Sequence, residues 1–82
     1  MDQQKRQQII NKMDRALADK FGDEFNDLRR DESLQSAGLD SVDILDTIAI
    51  LEKISGVYFE RDELIEIDTL DELYDLVLKK VN

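Results

Sequence analysis

The 82-residue chain contains no cysteine, no histidine, no proline and no tryptophan. Without cysteine there is no disulfide and no thiolate ligand; without histidine there is no imidazole for a metal site or for the Ser-His and Cys-His pairs that activate most nucleophiles. Much enzyme chemistry is excluded before any motif is read. Residues 1–8 (MDQQKRQQ) are polar throughout, unlike a signal peptide, and no apolar run approaches the roughly 20 residues that cross a bilayer. A cytoplasmic, soluble, monomeric protein with no membrane span is expected. The twelve-residue calcium-loop pattern is also missing, so no dedicated metal site is expected, although the carboxylates of residues 60–75 could gather loosely held divalent counterions.

Base is scarce in one part of the chain. Residues 1–37 are nearly neutral, with eight acids and seven bases, whereas residues 38–75 hold twelve acids against Lys53 and Arg61 alone. The formal net charge is −9. A field of this sign repels nucleic-acid phosphate and anionic lipid and draws in basic protein surfaces. Nucleic acid is therefore not an expected partner. Acidity also keeps a small protein in solution, so charge alone does not decide the function.

A chain of this length makes one small domain over residues 1–82, with a thin core. Ile10, Met13, Leu17 and Phe21 recur at helical spacing and predict a first helix over residues 4–20, with Gly22 just past its end. Residues 22–40 lack sustained periodicity and read as a long loop pinned by Phe25, Leu28, Leu34 and Leu39. Loops of this length tend to be functional or to contain a short turn of helix. A second helix begins at Ser41, with Asp40 as N-cap and Asp43 at N3. Its apolar residues Val42, Ile44, Leu45, Ile48, Ala49, Ile50, Leu51 and Ile54 cover most of the circumference and predict burial on more than one side. Asp43, Asp46 and Thr47 are expected on its exposed edge, with Val42 and Ala49 beside Asp46 at i−4 and i+3.

Ser55-Gly56 ends that helix, and Val57-Tyr58-Phe59 reads as an extended connector anchored by Val57 and Phe59. A short helix near residues 62–66 would place Leu64 and Ile65 on the core. Thr69 and Glu72 form a capping box for a last helix carrying Leu70, Leu73, Tyr74, Val77 and Val81, with Lys79 and Lys80 at its C-terminal end. The expected fold class is all-α: a small four-helix bundle of three longer helices and one short one, with a long loop between the first two.

Ser41 has three possible roles. It can help start a helix, as serine commonly does. It is a poor catalytic nucleophile, because no histidine can activate it. It can also be an acceptor, exposed at a helix N-terminus whose free N–H groups suit a phosphate, with another protein supplying the activation.

Gly38-Leu39-Asp40-Ser41-Val42-Asp43 resembles the attachment motif of acyl carrier proteins, in which the serine of a G-x-D-S-[hydrophobic]-[acidic] run receives 4′-phosphopantetheine from coenzyme A. Length, long first loop, acidic second helix and helix order extend the resemblance over essentially the whole chain. The family implies a substrate carrier and not an enzyme, in which acyl intermediates are held as thioesters on an arm attached to Ser41. A phosphopantetheinyl transferase would load the arm, and acyl-transferring, condensing and tailoring enzymes of fatty acid, polyketide or related lipid biosynthesis would use it. Such partners offer Arg and Lys to the second helix, which here implies docking at Asp40, Asp43, Asp46 and Glu52, with Val42 and Ala49 as apolar contacts. The family also folds acyl chains between its helices, making Ile44, Leu45, Ile48, Leu51, Ile54, Phe59, Leu64, Ile65 and Ile67 candidate lining residues; plain core packing would explain each equally well. Several positions depart from the usual pattern: Val42 in place of leucine, Lys53 among the acids, Ser55 in place of an aromatic, and Glu60 in place of proline. They point to a specialised carrier. The alternative is an acidic helical adaptor that docks on a basic partner without covalent cargo.

Overall fold

A computed structural model of the chain describes residues 3–26 and 31–81. Five helical segments follow one another: α1 (Gln3–Phe21), α2 (Asp23–Asn26), α3 (Ser41–Ser55), α4 (Arg61–Ile65) and α5 (Leu70–Val81). Three are long, α4 is the expected short one, and α2 is a single turn inside the loop; the architecture is the all-α bundle that the periodicity predicts. Leu28, expected as one of the loop's apolar pins, lies outside the described residues.

α1 stops at Gly22, whose left-handed backbone (φ +66°) lets its N–H reach Ala18 O at 2.7 Å. Phe25 and Leu34 are buried and Leu39 is half-buried, so the first loop is held by these side chains. It is also held by its backbone. Leu34 N–H donates to Asp68 O at 2.8 Å, and Ser33 pairs with Thr69 in an isolated antiparallel bridge, tying the loop to the start of α5. Sequence periodicity cannot show such a bridge, because it joins residues far apart in the chain.

The core is built by Met13 and Leu17 of α1, Leu51 of α3, Phe59 of the following connector, and Leu70, Leu73, Tyr74 and Val77 of α5. Truncating a fully buried leucine in such a core costs about 2–5 kcal/mol. Tyr74 brings a polar tip into the interior and satisfies it by donating to Asp14 Oδ1 at 2.8 Å, which links α5 to α1.

α3 is less enclosed than its apolar sequence suggests. Only Thr47 and Leu51 are buried, Ile44, Ile48 and Ile50 are half-buried, and Val42 and Leu45 are 64 % and 63 % exposed. Thr47, expected at the exposed edge, faces inward, which its side chain tolerates because the hydroxyl donates to Asp43 O at 2.8 Å. On α4, Leu64 is half-buried as expected, but Ile65, about 100° further round the helix, points to solvent at 75 % exposure.

Candidate functional site

The N-terminus of α3 is set by Asp40. Its backbone is extended (φ −86°, ψ 179°), and its Oδ1 accepts Asp43 N–H at 2.8 Å, while Asp43 Oδ2 accepts Asp40 N–H at a longer 3.4 Å. This reciprocal cap occupies both carboxylates with backbone and gives Ser41 the first helical position. Ser41 is exposed, and among the described residues its hydroxyl has no hydrogen-bond partner. Gly38, at φ +92°, turns the loop just ahead of the cap in a conformation that a side chain would strain.

An exposed hydroxyl at the head of a 15-residue helix can accept an ester-linked group. The N–H groups of the first turn that Asp40 leaves free, together with the positive end of the helix dipole, favour an anion at that place. The flanking carboxylates oppose it, but both are already directed at backbone donors. The residues present therefore fit a phosphate-linked group on Ser41.

The structure disperses the other expected docking residues. Asp40, Val42 and Asp43 cluster around Ser41, and Ala49 is exposed two turns further along α3. Asp46 lies 3.3 Å from Lys20 Nζ at the end of α1, a pair that sequence spacing could not reveal. Glu52 is half-buried, and its Oε2 accepts Phe59 N–H at 3.0 Å, fixing the connector that leads Phe59 into the core. A glutamate seven residues before a buried aromatic gives no local signal of this bond.

The expected lining residues separate into three groups. Leu51 and Phe59 are buried in the core; Ile44, Ile48, Leu64 and Ile67 are half-buried and packed against it. Leu45, Ile54 and Ile65 are exposed: Leu45 and Ile65 stand in solvent, and Ile54 lies in an open furrow beside Lys12, Arg15, Ala16 and Asp19 of α1. α4 is fastened beside this core by Lys80 Nζ, 2.8 Å from Glu63 Oε1, and the same oxygen accepts Glu60 N–H at 2.8 Å. The Lys80 ammonium, helped by the Glu60 N–H, holds the Glu63 carboxyl below its ordinary value. Among the described residues no group of carboxylates is arranged to hold a metal ion, and no helix is long and apolar enough to cross a membrane.

Comparison with curated proteins and with solved structures gives no match. A family comparison gives one: residues 12–77 match the family described as phosphopantetheine attachment site, a span that runs from α1 through the α3 N-terminus into α5. The chain thus belongs to the phosphopantetheine attachment site family, whose members are carriers of a covalently bound 4′-phosphopantetheine group.

Proposed function

We propose that Ser41 bears the 4′-phosphopantetheine and that the chain, one carrier unit over residues 1–82, is an acyl carrier protein of fatty acid, polyketide or related lipid biosynthesis. The observation that carries this reading is the exposed Ser41 hydroxyl at the head of α3, without a hydrogen-bond partner among the described residues and inside the span that matches the attachment-site family. When attached, the group supplies a flexible arm ending in a thiol on which acyl intermediates ride as thioesters.

The chain's own residues present and orient. Asp40 and Asp43 set the helix start that carries Ser41 outward. Val42 and Leu45, exposed one and four residues after the serine, offer apolar contact to an enzyme approaching it. Leu45, which the family resemblance puts in the interior, suits this docking role better than lining. Asp40, Asp43 and Asp46 offer negative charge to a basic enzyme surface; each exposed pair is worth only about 0.2–1 kcal/mol, so docking is weak and salt-sensitive. Ile44, Ile48, Leu64 and Ile67, half-buried around Leu51 and Phe59, are the residues best placed to yield to an acyl chain. Activation of the serine falls to an external phosphopantetheinyl transferase, since this chain has no histidine to act as base.

Incubating the purified protein with coenzyme A and a phosphopantetheinyl transferase tests the reading by intact mass. One added phosphopantetheinyl group on the wild type and none on Ser41→Ala is the expected result. A wild type that stays unmodified, while charge reversal at Asp43 still abolishes a cellular function, would instead support the adaptor without covalent cargo.

A further inference from the structure

α3 presents a ridge to solvent that changes sign along its length. With 3.6 residues per turn, Val42, Asp46, Ala49 and Lys53 fall within about 60° of one another around the helix axis, and Lys53 lies about 18 Å along that axis from Ser41. Asp40 and Asp43 make the serine end of the ridge anionic. Further along, Asp46 on the ridge is offset by Lys20 at 3.3 Å, and Glu52, off the ridge, is turned to Phe59 N–H. The charge left at the far end is Lys53, which is exposed.

Lys53 is not alone there. A furrow between α1 and α3 is lined by Lys12, Arg15, Ala16, Asp19 and Ile54, and Ile54 is 39 % exposed within it. Lys12 and Arg15 are exposed, and neither they nor Lys53 enter an ion pair among the described residues. On a chain of net charge −9, the furrow around Ile54 thus sets Lys12 and Arg15 of α1 against Asp19, and Lys53 adjoins Ile54 on α3.

We infer that an enzyme docking along α3 to reach Ser41 meets a bipolar surface: it carries cations opposite Asp40 and Asp43, and a carboxylate-bearing patch with an apolar contact opposite Lys53 and Ile54. The inference rests on Ser41 being the attachment point, and the enzyme it commits to is the phosphopantetheinyl transferase that this reading requires. Two physical consequences follow from the polarity. A ridge that is acidic throughout can be approached in either direction along the helix, whereas opposite charges at its two ends favour one. A partner with a uniformly basic face is disfavoured at the Lys53 end, so the cation works as a repulsive element in partner choice.

The sign of one substitution decides. With the transferase of the same cells, transfer is measured against carrier concentration for the wild type, Lys53→Gln, Lys53→Glu and Lys12→Glu/Arg15→Glu, with melting curves to confirm intact folding. Reversing Lys53 is expected to lower kcat/KM about 3- to 10-fold, mainly through a higher KM, with the glutamine variant in between and the double reversal also slower. A uniformly basic docking face predicts the opposite, a faster Lys53→Glu. An unchanged or raised kcat/KM for Lys53→Glu, with the wild type loaded normally, overturns the bipolar surface and leaves Ser41 standing. A wild type that is never loaded overturns both.

Discussion

Glu52 Oε2 accepts the backbone N–H of Phe59 at 3.0 Å, so a carboxylate on the last turns of α3 determines where the chain re-enters the core. The bond spans seven residues and stands in for a cap at the head of the connector. Removing it in Glu52→Ala leaves a part-buried N–H without its partner and is expected to cost about 1–3 kcal/mol. At this chain length a loss of that kind lowers the melting temperature by about 4–8 °C per kcal/mol. Loading of Ser41 at a temperature well below the transition should be nearly unaffected, and thermal melts paired with a loading assay check both.

Asp40→Ala removes the acceptor that satisfies Asp43 N–H at the head of α3. A loss of about 0.5–2 kcal/mol is expected. Ser41→Ala should leave stability nearly unchanged, because the exposed hydroxyl holds nothing among the described residues. Urea titration of the two variants separates the residue that builds the helix start from the one it presents.

Leu45→Ala is expected to change stability by less than about 0.5 kcal/mol, since the side chain is largely in solvent, while raising the KM for enzymes that act on the carrier. Leu51→Ala, at a site with no solvent exposure, should cost about 2–5 kcal/mol. The two leucines are six residues apart on one helix and should give opposite pairs of effects in chemical denaturation and partner kinetics.

The Glu63–Lys80 pair makes the seating of α4 depend on pH. Because Glu63 titrates below its ordinary value in the fold, its contribution is present at neutral pH and above the unfolded value of about 4.3, and is lost as pH falls through the lower folded value. Lys80→Met breaks the pair while leaving the Glu63 cap on Glu60 N–H in place. Thermal melts from pH 7 to pH 3 should show the wild type losing its advantage over Lys80→Met in the acid range, with no such convergence between pH 5 and pH 7.

The helices were legible in the sequence because each carries its own signals: heptad-like spacing in α1, Asp40 before α3, Gly56 after it, and the Thr69–Glu72 box before α5, where Thr69 N–H reaches Glu72 Oε1 at 3.0 Å and Glu72 N–H reaches Thr69 Oγ1 at 3.1 Å. The exposure of Ser41 followed from the same local logic. What local pattern could not supply was which side of an apolar helix the rest of the chain would cover. Leu45 looks like a core residue by type, but α1 and α5 pack against α3 along the Thr47–Leu51 side and leave it in solvent, as they do Val42, the expected apolar contact beside Ser41. Thr47 reads as polar and is buried, because its hydroxyl finds a carbonyl within its own helix. The pairs of Lys20 with Asp46 and of Glu52 with Phe59, and the bridge that pins the first loop, depend on three-dimensional proximity that periodicity does not encode.

The most direct measurement is tandem mass spectrometry of the peptide spanning residues 38–53, taken from protein purified out of its native cells. A phosphopantetheinyl ester localised to residue 41 is the predicted outcome. Finding that peptide unmodified while the group sits on another residue, or on none, would contradict the assignment of Ser41 as the point of attachment.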